Sequence, residues 1–398
     1  MRALLFLVVV VFLSCEKDNK SINCVFEPSL QTFSATDITV SSANISGTIR
    51  TVSEGCDIAL GERRGFVYAS SPSPSTNDQL INLYDSEIST TLQNLESNTQ
   101  YYVRTFISNS LGDFYGNEIS FNTSNPINYG VNEYGVLFQG LNRNYLVYIP
   151  ESYDPDIPTS LLFAFHGYGS SNLFLMSYSG FNDIANQENF IVVYPQGSPL
   201  LGISHWNVGG WTSDSTTDDI AFTDFLITTI KDSYNINEDR IYATGMSNGG
   251  FMSFLLACQM SDTFAAIASV TGSMTPETLD NCDPVREVPV LQIHGTNDLV
   301  VSYNGFESWT TPIETVLNYW VSNNACNETP QTVSLNDVDL NNNITVDEIT
   351  FDNGTNESIV KHFKVYGGGH TWFDNADIDT SSLIWEFLSS FNINGPNN

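Results

Sequence analysis

A serine at position 247 stands in a pattern that could make it a nucleophile. The apolar run 241–244 is followed by Gly-Met-Ser-Asn-Gly at 245–249 and then at once by residues with helical spacing. A strand that turns sharply into a helix raises the serine hydroxyl above a sheet. Only glycine fits two positions before and after it, because a Cβ there would collide with the neighbouring backbone. We therefore predict Ser247 as a catalytic nucleophile that forms a covalent intermediate.

The elements that must position Ser247 are strands alternating with helices. Near-continuous apolar or β-branched runs predict strands buried on both faces of a mostly parallel sheet. These runs are 161–166, 190–194, 240–244, 265–270, 288–293 and 360–366. An antiparallel pair is expected before them at 137–139 and 145–149, and helices at 219–231, after Thr311-Pro312, and at 383–388. With the strand–serine–helix turn at its centre, this order resembles the α/β-hydrolase fold, so residues 130–398 are assigned to the α/β class.

The resemblance implies that an acid and then a histidine follow the serine along the chain. Asp298 follows the strand run 288–293 and should lie at the carboxyl edge of the sheet, beside Ser247. Beyond it only His362, inside an alternating strand, and His370, in a loop after three glycines, remain. We predict that Asp298 orients the imidazole and that His370 is the general base and acid. The alternative for Asp298 is a turn cap.

Backbone N–H groups near Ser247 could hold a developing oxyanion. Asn248 would be the first residue of the helix after the serine, where the helix dipole is positive. The loop His-Gly-Tyr-Gly at 166–169 follows the run 161–166, and its glycines allow a close approach, so Tyr168 or Gly169 should supply the second donor. His166 precedes Ser247 along the chain and is predicted to be a structural hydrogen-bonding residue rather than the base, and His294 is interpreted in the same way.

Four aromatic residues are candidate walls of a substrate pocket. Flat rings bury phenolic or hydroxyalkanoate groups well, and packing in the core is the equal alternative. The four are Tyr168, Trp206, Trp211 and Trp372.

Several motifs together are similar to the group of poly(3-hydroxybutyrate) depolymerases and feruloyl esterases, carbohydrate esterase family one in the broad sense. They are His-Gly-Tyr-Gly at 166, Tyr-Pro at 194, Trp-Asn at 206, Asp-Asp-Ile-Ala-Phe at 218, residues 240–250, Phe-Ala-Ala-Ile-Ala at 264, His-Gly-Thr-Asn-Asp at 294 and Gly-Gly-Gly-His-Thr-Trp at 367. The match spans nearly all of residues 130–392, and it implies a triad of Ser247, Asp298 and His370. Phe373 stands where the family usually has proline, which leaves substrate choice open.

Residues 24–124 predict a separate small all-β sandwich. Short alternating runs lie at 37–40, 43–49, 65–69, 101–107 and 118–122, with turn-rich segments between them. Residues 95–101 resemble the tyrosine corner of fibronectin type III domains, and 109–116 resemble their last hairpin. The resemblance implies a spacer or presentation module, with polymer or carbohydrate binding as the alternative. Residues 122–128 are interpreted as a linker.

The first residues predict export. Met1-Arg2 and the apolar run 4–13 form a signal peptide of residues 1–14, too short to span a bilayer. Leu-Ser-Cys at 13–15 resembles a bacterial lipobox, which implies a lipid on Cys15, a tether over 15–23, and an address at the outer membrane or cell surface. Ordinary secretion is the alternative. For a disulfide-permissive compartment we expect Cys24 with Cys56 and one pair among Cys258, Cys282 and Cys326.

Charge and composition argue against nucleic acid, metal ions and cofactors as partners. The chain carries 13 Lys and Arg against 45 Asp and Glu, a net charge of −32, which disfavours nucleic acid. No cysteine or histidine cluster has zinc spacing, and neither a metal nor a cofactor is expected.

Residues 337–348 copy the ligand spacing of an EF-hand, yet they lie between strand-like runs. They are interpreted as a polar hairpin loop, with calcium binding as the alternative.

The expected function is therefore that of an exported serine ester hydrolase. Its substrate would be polymeric: a polyester such as poly(3-hydroxybutyrate) or its oligomers, or feruloyl or acetyl esters of plant polysaccharide. Contact with a membrane is expected only through the lipid on Cys15. The alternatives are a non-catalytic polymer-binding surface lipoprotein and a serine peptidase that uses the same triad.

Overall fold

The computed structural model describes residues 25–54 and 62–397, and the chain divides between Ile127 and Asn128 into two compact units. The predicted signal peptide, the lipobox cysteine Cys15 and the Cys24–Cys56 pair lie outside the described residues. No helix in the described ranges is long and apolar enough to cross a membrane.

The first unit is built from two antiparallel sheets. Its strands are β1 (Val25–Thr32), β2 (Ala43–Glu54), β3 (Arg63–Ala69), β4 (Gln79–Asn82), β5 (Glu87–Leu92), β6 (Gln100–Asn109), β7 (Gly112–Tyr115) and β8 (Ile119–Asn122). One sheet has the order β1-β2-β5, and the other has β4-β3-β6-β7 with β8 also paired to β6. Ile45 and Leu92 of the first sheet share a core with Phe66 and Val103 of the second. The predicted all-β sandwich is confirmed.

The expected strand at 37–40 does not form. Asp37 has a positive φ of 47°, and the Thr39 N–H donates to the Ser42 carbonyl at 2.9 Å, so this segment turns instead of extending.

The second unit contains one large sheet with helices. Its strands are β9 (Gly130–Phe138), β10 (Leu141–Ile149), β11 (Thr159–Phe165), β12 (Phe190–Pro195), β13 (Ser198–Leu200), β14 (Ile203–His205), β15 (Ile236–Met246), β16 (Ala266–Val270), β17 (Val290–Gly295), β18 (Gln331–Ser334), β19 (Thr345–Phe351), β20 (Val360–Tyr366), β21 (Asp374–Asn375), β22 (Ile378–Asp379), β23 (Phe391–Asn392) and β24 (Gly395–Pro396). Its helices are α1 (Asn172–Ser179), α2 (Phe181–Glu188), α3 (Asp219–Ser233), α4 (Asn248–Gln259), α5 (Pro276–Asp280), α6 (Ile313–Asn323) and α7 (Thr380–Ser389), with 3₁₀ turns at Gly210–Thr212 and Thr355–Glu357.

The sheet order is β18-β19-β20-β17-β16-β15-β11-β12-β10-β9. The strands from β12 to β20 in this order are mutually parallel, and two antiparallel strands flank them on each side. β11, β12, β16 and β17 are buried along their whole length, as expected for strands covered on both faces. This is the predicted α/β-hydrolase fold, and it brings the carboxyl ends of β11, β15, β17 and β20 to one edge.

Candidate active site

Ser247 lies at a strained corner between β15 and α4. Its φ of 54° and ψ of −121° lie outside the ordinary regions for a non-glycine residue, and α4 begins at the next residue. The Ser247 N–H donates to the Val270 carbonyl of the neighbouring strand at 2.8 Å. The corner therefore belongs to the sheet and presents the hydroxyl at its edge, as predicted for a nucleophile elbow.

The glycines on either side of Ser247 are required by close backbone contacts. A Cβ on Gly245 would lie 2.5 Å from the carbonyl carbon of Gly249 and 2.6 Å from the carbonyl oxygen of Phe165. A Cβ on Gly249 would overlap the same Phe165 oxygen. Any larger residue at these positions would push β15, α4 and the end of β11 apart.

Asp298 and His370, the predicted acid and base, lie in contact with each other. His370 Nδ1 lies 2.7 Å from Asp298 Oδ2, and the Asp298 side chain is fully buried while that of His370 is 17% exposed. The other carboxylate oxygen accepts the N–H groups of Val300 and Val301, each at 2.8 Å. The carboxylate is thus fixed by backbone donors and contacts the imidazole on its Nδ1 side.

Two loops are tied together to make this pair. The Thr296 N–H donates to the Val365 carbonyl at 2.9 Å, the Asn297 N–H to the Gly368 carbonyl at 2.8 Å, and the Gly367 N–H to Thr296 Oγ1 at 3.0 Å. Three hydrogen bonds therefore connect the segment after β17 to the end of β20 and the loop that follows it. Among the residues that the structure describes, Ser247 Oγ and His370 are not joined by a hydrogen bond.

Two other histidines lie behind Asp298 and are buried. His294 Nε2 contacts the Val301 carbonyl at 2.8 Å, and its Nδ1 contacts Gln292 Nε2 at 3.0 Å. His362 Nδ1 contacts the Gln292 carbonyl at 2.9 Å. Burial lowers the pKa of His294 to about 4 and that of His362 to about 3. Both are therefore neutral structural groups at neutral pH, in the positions expected for them.

His166 also has a structural environment. Its Nδ1 lies 2.7 Å from the Gly167 carbonyl, and its Nε2 accepts the Gly197 N–H at 2.9 Å. Burial lowers the pKa of His166 to about 4, so the ring is neutral and fixes the loop 166–169.

The oxyanion donors predicted from the sequence need one correction. The Gly169 N–H donates to the Ser204 carbonyl of β14 at 2.8 Å, so it is already occupied. The N–H groups of Tyr168 and Asn248 form no hydrogen bond among residues 25–54 and 62–397. A Cβ on Gly167 would touch the Ser247 side chain at 3.4 Å, so the Tyr168 loop borders the serine. Tyr168 and Asn248 remain the predicted donor pair.

Trp206 does not reach the cleft, contrary to expectation. Its side chain is fully buried, its Nε1 donates to the His166 carbonyl at 2.8 Å, and its ring meets Phe165 edge-on. The Asn248 amide accepts the Trp206 N–H at 2.7 Å and donates to the Trp206 carbonyl at 3.1 Å. Trp206 therefore joins the loop 166–169 to the first residue of α4.

Trp372 is also a core residue rather than a pocket wall. Its side chain is 8% exposed, and Nε1 donates to Ser381 Oγ at 3.0 Å. Its ring packs edge-on against Tyr178 and Phe181. The alternative of core packing holds at this position.

An aromatic cluster borders Ser247, and two of its four members, Phe251 and Trp309, were not predicted from the sequence. Trp211 packs edge-on against Tyr168 with ring centroids 5.5 Å apart, and against Phe251 and Trp309 at 6.1 Å each. Phe251 lies one turn of α4 after Ser247, and Tyr168 is 44% exposed. Tyr168 and Trp211 thus occupy the predicted region. Trp309 joins them from a loop whose sequence carries no motif.

A buried ion pair holds the segment that carries Trp206 and Trp211. Arg143 Nη2 lies 2.7 Å from Asp219 Oδ1, and its guanidinium stacks on the Phe222 ring at 3.8 Å. The second Asp219 oxygen accepts the Asn207 N–H at 2.8 Å. The sequence motif at 218 included Asp219, but the pairing with Arg143 was not predicted, because the two residues are 76 positions apart.

The cysteine and loop predictions have clear outcomes. Cys258 and Cys282 form a disulfide, and Cys326 is a free buried thiol whose pKa is raised by burial.

The loop within 335–344 joins β18 to β19 as the predicted polar hairpin. The Asp377 carboxylate accepts the N–H groups of Val338 and Asp339 at 2.6 and 3.1 Å.

The family model described as "Putative esterase" matches residues 139–372, more than half of the 398-residue chain. The chain belongs to this esterase family. It is 30% identical over 258 residues to the bifunctional acetylxylan esterase/xylanase XynS20E of Neocallimastix patriciarum, covering 65% of this chain and 35% of that protein. It is 29% identical over 222 residues to feruloyl esterase C of Emericella nidulans, covering 53% of this chain and 76% of that protein.

The chain therefore spans about a third of the length of the first relative and about three quarters of the second. A solved acetyl xylan esterase from Aspergillus awamori aligns with 65% of this chain and 98% of its own, at 16% identity and a TM-score of 0.49. The predicted membership of the feruloyl esterase group is confirmed for this esterase.

Proposed function

We propose that the protein is a carboxylic ester hydrolase that works through an acyl-serine intermediate. One observation carries the proposal. The buried Asp298–His370 pair, at 2.7 Å, lies at the same sheet edge as Ser247, which is held at a φ of 54°. A base fixed by a carboxylate and a serine on a strained corner are the parts that acyl transfer needs.

The proposed reaction has two steps. His370 Nε2 takes the proton of Ser247 Oγ as the oxygen attacks the ester carbonyl carbon, and the N–H groups of Asn248 and Tyr168 hold the oxyanion. The tetrahedral adduct breaks its bond to the alcohol oxygen, which leaves with the proton from His370. Water, deprotonated by His370, then attacks the acyl-serine and releases the acid and Ser247.

We propose acetyl or feruloyl esters of plant polysaccharide as the first substrate class. The names of the two relatives support it, and so does the aromatic cluster beside Ser247, because rings stack well on phenolic groups. Poly(3-hydroxybutyrate) oligomers are the second class, supported by the absence of charged residues from 167–182 and 195–213 around the site.

Hydrolysis of p-nitrophenyl butyrate by the parent and by Ser247→Ala tests the chemistry. Loss of the nucleophile should lower kcat by at least about 10⁴-fold with the unfolding midpoint unchanged. An equally active Ser247→Ala protein would contradict the proposal. A panel of methyl ferulate, acetylated xylan and hydroxybutyrate trimers then separates the substrate classes by kcat/KM.

We further propose that the protein is exported, with residues 1–14 as signal peptide, 15–23 as tether, 24–124 as a fibronectin type III-like spacer and 130–398 as the catalytic domain. The Glu96 N–H donates to the Tyr101 hydroxyl at 3.0 Å, which supports the tyrosine corner. Mass spectrometry of the membrane fraction after expression of the parent and of Cys15→Ala tests the anchor. A lipid-sized mass increase on the parent alone is expected.

A further inference from the structure

Trp206 and Asn248 form a buried, hydrogen-bonded connection between the two predicted oxyanion donors. The Asn248 amide accepts the Trp206 backbone N–H at 2.7 Å and donates to the Trp206 carbonyl at 3.1 Å. The indole Nε1 of Trp206 then donates to the His166 carbonyl at 2.8 Å. These three bonds, called the indole–amide bridge here, connect the first residue of α4 to the loop that carries the Tyr168 N–H.

Steric contact alone does not fix the distance between these two parts of the site. A Cβ on Gly249 would overlap the Phe165 carbonyl oxygen and lie 2.9 Å from the His166 carbonyl oxygen, so α4 and the end of β11 already touch. Repulsion of this kind sets how near the two parts come, but not how far apart they move. The indole–amide bridge limits their separation, because each of its bonds weakens as they move apart.

Packing does not require the polar atoms of the bridge. Trp320 is as fully buried as Trp206, yet its Nε1 has no hydrogen-bond partner in the part of the chain that the structure describes. This fold therefore buries an indole without using its N–H. The Asn248 amide is 1% exposed, and an apolar side chain there would avoid the cost of burying polar groups. The directed bonds of Trp206 and Asn248 indicate a role in geometry.

A fixed separation matters for oxyanion donors. Backbone N–H groups stabilise a tetrahedral adduct only where its negative charge develops, and donors already in place need no reorganisation as the charge forms. A displacement of about 1 Å near the reacting atoms costs up to about 10²-fold in rate. The ground-state ester carries no such charge, so poorer placement lowers kcat and leaves KM nearly unchanged.

We propose that Trp206 and Asn248 are positioning residues, whose indole–amide bridge sets the separation between the oxyanion N–H donors of Tyr168 and Asn248. Both side chains are buried, so they act through the backbone and not on the substrate. The inference rests on the ester hydrolysis proposed above and adds the part of the structure that holds the two donors in place.

A second buried asparagine supplies a matched control. Asn324 accepts the Val288 N–H at 3.1 Å and donates to the Val288 carbonyl at 2.7 Å, which is the pair of bonds that Asn248 makes to Trp206. Val288 lies just before β17, at the sheet edge opposite to Ser247. Asn248→Ala and Asn324→Ala therefore remove equivalent bonds, and only the first belongs to the bridge.

Kinetics of these two variants on p-nitrophenyl butyrate test the proposal. Asn248→Ala should lower kcat by about 30-fold, with KM within about twofold of the parent. Asn324→Ala should also lose stability but keep kcat within about twofold. The parent's kcat in Asn248→Ala, or an equal loss of kcat in Asn324→Ala, would overturn the proposal. A rise in KM alone would also overturn it, because it would place Asn248 in substrate binding.

The indole end of the bridge has its own matched pair. Trp206→Phe keeps a buried ring but loses the N–H that reaches the His166 carbonyl, whereas Trp320→Phe loses an N–H without a partner among the described residues. The first should lower kcat about tenfold or more, and the second should change it less than about twofold. An unchanged kcat in Trp206→Phe, or an equal loss in both variants, would contradict the bridge.

The double variant Trp206→Phe/Asn248→Ala tests whether the two residues act together. Because either substitution breaks the same bridge, the double variant should be about as slow as Asn248→Ala alone. If the two losses of kcat multiply, the residues act independently and the proposal fails.

Binding of butylboronic acid separates this proposal from the proposed function. Its boron accepts an electron pair from Ser247 Oγ, whose proton passes to the base, and the tetrahedral anion places an oxygen where the oxyanion forms. Its dissociation constant, measured by calorimetry, should rise in both bridge variants about as much as kcat falls. Unchanged affinity in Asn248→Ala and Trp206→Phe would overturn the proposal. A parent that binds the boronate but hydrolyses no ester contradicts the proposed function alone.

Discussion

The two halves of the candidate site are held in place by different forces. The Ser247 half is fixed by backbone contact: Gly245 and Gly249 let β15, α4 and the end of β11 approach so closely that a Cβ has no room. The Asp298–His370 half is fixed by hydrogen bonds between two loops, and Gly369 in that half has open space around it.

The difference teaches how each half can fail. The contact-fixed corner has no room for an added atom at Gly245 or Gly249. The pair of loops has room at Gly369 but not at Gly295, where a Cβ would lie 2.2 Å from the Gly368 carbonyl oxygen, and it depends more on hydrogen-bond donors and charge. The predictions below test this contrast, beginning with the largest expected effect.

Asp298→Asn should disable the hydrogen-bonded half without unfolding it. The amide oxygen still accepts the Val300 and Val301 N–H groups, but the charge that stabilises the His370 imidazolium is lost. We expect kcat on p-nitrophenyl butyrate to fall by about 10⁴-fold, roughly 5 kcal/mol on the barrier, with little change in thermal midpoint. A loss below about tenfold would exclude Asp298 as the orienting acid.

Gly249→Ala should break the contact-fixed half. Its new methyl group would overlap the Phe165 carbonyl oxygen, so the free energy of unfolding should fall by about 4 kcal/mol or more. Gly369→Ala is the matched control, because no atom lies within 4 Å of its added Cβ, and it should change stability by less than about 1 kcal/mol. Urea unfolding of both variants measures the two losses of unfolding free energy. Equal losses would contradict the proposed contrast between the two halves of the site.

Acid should weaken the fold through the histidines behind Asp298. Burial lowers the pKa of His362 to about 3, against an ordinary value near 6.5 in the unfolded chain. Below pH 6.5 the unfolded state binds a proton that the folded state refuses, so stability falls as the pH drops from about 6.5 toward 4. Above pH 6.5 this group has no effect on the pH dependence.

His362→Gln measures that contribution, since the amide offers one donor and one acceptor but does not titrate. The loss of unfolding free energy between pH 7 and pH 4 should be smaller by about 3 kcal/mol in the variant. Parallel stability curves for parent and variant would contradict this, because they would show that His362 takes up its proton at the same pH in the folded and unfolded states.

Thr296→Val should weaken the hydrogen bonding between the loops after β17 and β20, and it has the smallest expected effect of these substitutions. It removes the acceptor of the Gly367 N–H, an exposed bond of 3.0 Å, at a cost of up to about 1 kcal/mol in stability. We expect kcat/KM to fall severalfold, with Thr296→Ser close to the parent because it keeps the hydroxyl. If valine and serine behave alike, this bond does not position His370.

The parts of the site that could be predicted from sequence are those with local causes. The strand, glycines and helix around Ser247 are contiguous, so their pattern is visible in a dozen residues. The order of Asp298 and His370 followed from the fold resemblance, since the carboxyl ends of parallel strands share one edge. The buried strands were predictable because they are apolar on both faces.

What the sequence did not reveal depends on partners far along the chain. Trp206 was expected in the cleft, but its indole N–H finds the His166 carbonyl forty residues away, and that bond buries the ring. The Gly169 N–H was predicted as an oxyanion donor, but it donates to the Ser204 carbonyl. Ser204 belongs to the β13–β14 hairpin, which no sequence periodicity predicts. The contact of Trp309 with Trp211 likewise joins two loops without a motif.

The turn at Leu201 stores strain that a single substitution would release. Leu201 and Gly202 form the two-residue turn between β13 and β14, and Leu201 has a positive φ of 52°. Laboratory selection for heat resistance should therefore replace Leu201 by asparagine or glycine, because either residue tolerates this φ.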